Sequence, residues 1–98
     1  MIVVIAKYSV TPGSRDKVLE FAKKSRAFAI TLAGNLEYCA MASPEADEII
    51  AIEKWQSIDN LKVYVTTDAC KAFVESRKPY LIEGSKVTDI YEVTPVSL

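Results

Sequence analysis

Apolar residues recur along this chain with two different periods, and the changes of period divide it into elements. Ile2 to Val10 is rich in β-branched residues and alternates in places, which predicts a strand, and TPGS at 11–14 ends it. From Arg15 to Ala33 the period becomes helical, with Val18, Phe21, Ala22, Ser25, Ala29 and Leu32 on one stripe. Ser14 precedes that stripe as a candidate N-cap, and Asp16 favours the positive end of the helix dipole. Gly34 stands where a helix ends in a left-handed residue. Asn35 to Ala42 and Glu48 to Gln56 return to strand, joined as a hairpin by the turn SPEAD. Ser57 is placed to cap the next helix, with Asp59 in its first turn and Leu61, Tyr64 and Val65 on its apolar side. TTDACKAFVESRK forms a second helical piece, with Thr67 or Asp68 as its cap and Pro79 as its stop. Lys86 to Val93 is the last strand.

The order βαββαβ predicts an α+β, ferredoxin-like domain, a four-stranded antiparallel sheet with helices on one face. The other face is then a problem. On the first strand Ile2, Val4, Ala6 and Tyr8 oppose Val3 and Ile5, and on the third Ile49 and Ala51 oppose Ile50 and Ile52. A sheet with one solvated face alternates apolar with polar residues, whereas these strands are apolar on both. Helices cover one face only, so the other calls for a second layer, most simply another copy of the same sheet. The expectation is a homodimer packed through the sheet face.

A chain of 98 residues is a single domain, spanning 1–98, and long enough to bury roughly 65% of its unfolded surface. A formal charge of -1 offers no basic patch for nucleic acid. No apolar run approaches the ~20 residues of a membrane span, and the apolar start MIVVIAKYSV lacks the basic lead of a signal peptide, so no membrane and a cytoplasmic location are expected. There is no histidine, which removes the commonest general base and metal ligand and any Ser-His-Asp or Cys-His site. The carboxylates are scattered, and the three glycines form no phosphate-binding loop. No metal and no cofactor, whether haem, flavin or transition metal, are expected. Cys39 and Cys70 read as small buried hydrophobes rather than a disulfide or redox pair.

The chemistry concentrates near the third strand. Period two puts Ile49, Ala51, Glu53 and Trp55 on one face, so an apolar face carries a carboxylate beside the only tryptophan. Two readings stand. Either Trp55 is core and Glu53 is held by a hydrogen bond to a helix end or a lysine, or both form the wall of a pocket. Tyr64 divides in the same way: core that needs a partner for its hydroxyl, or a donor to a substrate oxygen. Tyr8 and Tyr38 read as core.

PGSRDKVLEFAKK at 12–24, GNLEY at 34–38, IEKWQSIDNL at 52–61 and TDACKAF at 67–73 follow one another in this order. In that order the chain resembles the antibiotic biosynthesis monooxygenase domain family, from Ile2 to about Val93, most strongly at Gly34-Asn35 with Tyr38 and at Glu53-x-Trp55. The resemblance implies a dimeric α/β barrel with a cavity between sheet and helices and the tryptophan near it. Ala6 and Ala51 then leave room, and Leu61 joins the lining. It also implies a small electron-rich aromatic substrate such as a quinol or polyketide, oxygenated without a cofactor. Glu53 is the candidate base, since burial raises a carboxyl pKa; Tyr64 is the candidate oxyanion donor, and Trp55 the stacking wall. Many family members carry a histidine nine residues after the tryptophan; here that place is Tyr64, and a second such place is Ala69. Haem-degrading relatives need an axial histidine and an asparagine where this chain has Val74 and Ala6, which argues against haem. The alternatives are a non-catalytic dimer that binds a small hydrophobic or aromatic molecule, and a signal-molecule-degrading enzyme of the same family.

Overall fold

Strand pairing explains where each face of the sheet goes. The computed structural model describes residues 1–97. Its first strand, β1 (Ile2–Ser9), is central: it pairs antiparallel with β3 (Glu48–Trp55) on one side and β4 (Val87–Glu92) on the other. The hairpin partner β2 (Asn35–Ala42) lies outside β3, giving the order β2-β3-β1-β4. Helix α1 (Arg15–Ala29) connects β1 to β2; α2 (Ile58–Val65), α3 (Asp68–Arg77) and a 3-10 turn at Lys78–Tyr80 connect β3 to β4. This is the ferredoxin-like βαββαβ arrangement with its second helical connection split in two.

In register, Ile2 faces Trp55, Val4 faces Glu53, Ala6 faces Ala51 and Tyr8 faces Ile49. This is the helix face, and it buries Ile2, Val4, Tyr8, Ile49 and Trp55. Two core clusters result. One gathers Ile2, Val4, Tyr38, Trp55, Leu61 and Tyr64 with Ala29; the other gathers Tyr8, Val10, Val18 and Ile49. Between them runs a row of small residues that crosses the sheet, with Ala40 opposite Ala51, Ala51 opposite Ala6 and Ala6 opposite Thr88.

On the other face Val3, Ile5, Ile50, Ile52 and Cys39 are half-buried, while Met41, Val87 and Tyr91 are 48%, 56% and 49% exposed. Among the described residues, no helix or strand covers this apolar surface. Among the described residues, no helix is long and apolar enough to cross a membrane.

Several boundaries move from those the pattern predicts. Helix α1 stops at Ala29, four residues before Ala33, because the N–H groups of Thr31 and Leu32 reach back only three residues, to Phe28 and Ala29. Ser14 makes no side-chain cap, since its hydroxyl is shared with Thr11 Oγ1 at 2.6 Å. Ser57 and Thr67 do cap, accepting from the N–H of Asn60 and of Cys70. Val10 falls outside β1 and bridges Leu81 instead.

Gly34 ties these segments together. Its φ of +80° is left-handed, its carbonyl accepts from Gln56 N–H at 2.7 Å, and a Cβ built on it would collide with the Asn60 side-chain amide. That amide in turn donates to the Ala33 carbonyl at 3.1 Å. Gly34→Ala should therefore combine backbone strain with a steric clash and lower stability by roughly 1–3 kcal/mol. Thermal unfolding of the variant checks this, and an unchanged Tm would mean that the Asn60 contact yields freely.

Candidate functional site

The row of small residues leaves a gap that the helices do not fill. A cavity of about 620 Å³ opens there between the sheet and the second pair of helices. Val4 and Ala6 of β1, Ala51 and Glu53 of β3, and Thr88 and Ile90 of β4 form its floor. Leu61, Tyr64 and Val65 of α2 and Cys70, Phe73, Val74 and Arg77 of α3 form the opposite wall. Tyr38, Lys71, Glu75 and Lys86 complete the lining. Strand β4 is exposed along its whole length, so the cavity is open on that flank.

Five of the residues singled out from sequence, Ala6, Ala51, Glu53, Leu61 and Tyr64, come together in this lining. Trp55 does not join them. It is 0% exposed, packed in the core cluster with Ile2 and Ala29, and its ring stacks on Tyr64 with centroids 5.2 Å apart and planes 27° apart. Period two gave its face correctly, but Trp55 sits at the end of β3, opposite Ile2 and Asn35, one step beyond the gap. A ligand in the cavity meets Tyr64 and not the indole behind it.

Trp55 nevertheless acts on the site, because its Nε1 donates to Glu53 Oε1 at 3.1 Å. Burial raises the Glu53 carboxyl pKa, opposed by this hydrogen bond and by the charges of Arg77 and Lys86. Glu53 thus has a hydrogen-bond partner, the Trp55 indole rather than a helix end or a lysine, and it lines the cavity.

Tyr64 hydroxyl lies 2.7 Å from Ser25 Oγ, and Tyr38 hydroxyl donates to the same oxygen at 3.1 Å. The two tyrosine rings meet edge to face with centroids 6.1 Å apart. Burial pushes both phenol pKa values up, so neither tyrosine supplies a base at neutral pH. Cys70 is buried and its thiol pKa is also raised, chiefly by burial, which makes it a poor nucleophile.

Arg77 is the residue that sequence reasoning missed. It is 7% exposed, and its guanidinium carbon lies 4.9 Å from the Tyr8 ring centroid and 4.8 Å from that of Phe73. The available signal was the spacing of Cys70, Phe73, Val74 and Arg77, which puts a cation on the apolar stripe of α3. Lys86 is an exposed residue that borders the cavity, yet its pKa is lowered, first by burial and then by the Arg77 charge.

Among the described residues, no group of three or more histidine, cysteine or carboxylate side chains is placed to hold a metal ion. Val74 and Ala6, which stand where haem-degrading relatives need ligating or polar residues, both line the cavity, and neither can bind iron.

The family model described as antibiotic biosynthesis monooxygenase matches residues 1–76. No curated protein matches the chain. Solved structures do. An antibiotic biosynthesis monooxygenase candidate from Nitrosomonas europaea superposes with a TM-score of 0.86 at 15% identity, covering 95% of this chain and 98% of that one. A second candidate, from Deinococcus radiodurans, gives 0.88 at 10% identity, with coverages of 100% and 97%. A third, from Chloroflexus aurantiacus, gives 0.78 at 22% identity, with coverages of 98% and 93%. At such identities the likeness carries the fold and not the reaction.

The raised Glu53 pKa has a signed consequence for stability. Between the ordinary carboxylate value, about 4.3, and the raised folded value, the folded chain holds more protons than the unfolded one, so stability falls as pH rises through that window. Glu53→Gln removes this loss, while its amide oxygen still accepts from Trp55. Urea unfolding from pH 4 to pH 7 should show a flatter stability curve for the variant than for the natural chain. Parallel curves would mean that Glu53 ionises as freely in the folded chain as in the unfolded one.

Proposed function

The chain belongs to the antibiotic biosynthesis monooxygenase family. On that premise we propose that it oxygenates a small electron-rich aromatic, of the quinol or polyketide-phenol class, in the cavity between sheet and helices without a cofactor. The observation that carries this reading is a roomy, mainly apolar cavity lined by a half-buried carboxylate of raised pKa. Such a substrate provides its own electrons once it loses a proton. Glu53 takes that proton, because burial brings its basicity closer to that of the acid it must deprotonate. The substrate anion passes an electron to dioxygen, the two radicals combine, the peroxide anion takes back the proton from Glu53 to give a hydroperoxide, and loss of water leaves a carbonyl. One oxygen atom ends on carbon and the other in water, and all four electrons come from the substrate.

Tyr64 is assigned the donor role, and the hydrogen bonds around it support that assignment. Tyr38 donates to Ser25 Oγ, which leaves the Ser25 proton free to go to Tyr64 and the Tyr64 proton free for an oxygen in the cavity. Trp55 then has a positioning role, with its ring against Tyr64 and its N–H on Glu53. The rival reading, a binding protein without catalysis, draws on the Tyr64 hydroxyl being already satisfied by Ser25 and on the missing histidine.

Oxygen uptake with a panel of hydroquinones and anthrone-type polyketides separates the two. Tyr64→Phe should slow turnover by roughly one to two powers of ten, the scale of one lost oxyanion donor or less. Glu53→Gln should cost more, since no other carboxylate lines the buried part of the cavity. Uptake that is unchanged in both variants, with the fold intact, removes these residues from the mechanism and favours the binding protein.

The same reading includes a homodimer closed over the apolar sheet face. Its support is the run of Val3, Ile5, Ile50 and Ile52 with exposed Met41, Val87 and Tyr91, an apolar surface that a lone chain leaves in water. Ile50→Asp or Ile52→Asp would bury an unpaired charge there and should release monomer or unfold the chain. Sedimentation of the natural protein as a stable monomer would refute the dimer.

A further inference from the structure

Among the described residues, Arg77 makes no salt bridge. Its side chain is more than nine-tenths buried, it borders the cavity, and among the described residues no carboxylate or carbonyl accepts a hydrogen bond from it. Two aromatic faces, Tyr8 and Phe73, hold the guanidinium in place. They lower the cost of burying the charge, but they accept none of its N–H bonds. Its five donors form a planar fork with no protein acceptor among the described residues, and none of its nitrogens is sealed off from solvent, so a ligand can reach them. Lys86 stands near enough for the Arg77 charge to depress its pKa, so two like charges meet at one end of the cavity. The nearby carboxylates do not cancel them. Glu53 is bonded to the Trp55 indole and makes no ion pair with either, while Glu75 and Lys71 are exposed at the rim and offset each other in sign.

We infer that the cavity takes aromatic ligands that carry a carboxylate, with the ring on the apolar floor and the carboxylate held by Arg77 and Lys86. This rests on the proposed function only in placing the ligand in the same cavity; it adds a second polar anchor, distinct from the reacting hydroxyl. The pairing is chemically specific. A guanidinium fork matches the two oxygens of a carboxylate, and a lysine at the mouth adds a flexible second donor. The side chains of the floor residues Val4, Ala6, Ala51 and Ile90 carry no hydrogen-bonding group, so most of the floor suits an apolar ring. Neutral quinols then bind less well than acids of the same shape.

Binding of 2-naphthoate and of its neutral isostere 2-naphthamide, followed by titration calorimetry on the full chain, tests this. Neither probe is a quinol, so the result does not depend on oxygen chemistry. Naphthoate should bind tighter by roughly tenfold or more, the scale of a charge-assisted hydrogen bond. That preference should vanish in Arg77→Gln, narrow in Lys86→Gln and weaken with added salt. If Arg77→Gln does not fold, Lys86→Gln carries the test, since Lys86 is exposed and lies outside the helices. Equal affinity for the two probes, no binding of naphthoate at millimolar concentration, or a preference unmoved in every folded variant overturns the inference. A naphthoate preference without oxygen uptake on any quinol overturns the monooxygenase reading alone.

Discussion

Small side chains in register across the middle of the sheet decide most of what this molecule can do. Ala40, Ala51, Ala6 and Thr88 stand side by side on β2, β3, β1 and β4. To either side of this row large residues close the space between sheet and helices, Trp55 and Tyr64 in one cluster and Tyr8 and Ile49 in the other. Interiors are normally packed with few voids larger than a water molecule, so a row of alanines beneath a helix layer must either draw the layer down or leave space. Here Trp55 and Tyr8 act as pillars on the two sides, and the space remains.

The polar groups of the site are fastened to those pillars. Glu53 is held by the Trp55 indole, Tyr64 by Ser25 of α1, and Arg77 by the ring of Tyr8. Each chemically active side chain thus has one side against rigid core and the other toward the cavity. That arrangement limits the rotamers each can adopt.

Most of the fold was legible in sequence because it depends on local pattern. Period two identified the helix face of β1 and β3, and turn residues marked the hairpin. The end of α1 was not legible, since Ile30 to Ala33 continue an apolar helical spacing and only the tighter i−3 bonds at Thr31 and Leu32 reveal the turn. The site was legible by face but not by depth. Alternation says which way Trp55 points, whereas its distance from the gap is set by pairing with Ile2 and Asn35. Arg77 was missed for another reason. A charged residue late in a helix ordinarily reads as solvated and suited to the dipole, and its burial depends on Tyr8, far away in sequence.

The pairing of β1 with β4 joins nearly the whole length of the chain, with Ile2 opposite Glu92 and Val93 N–H bonded to the Met1 carbonyl. The β2–β3 hairpin, by contrast, closes through a turn of a few residues. Contacts of such long sequence separation carry the larger loop-closure entropy and tend to form slowly. Because Thr88 and Ile90 supply part of the cavity floor, the cavity is incomplete until that last strand docks. A chain can therefore hold a folded hairpin and helices before the cavity exists, and closure of the cavity reports the docking of β4 rather than formation of the core alone.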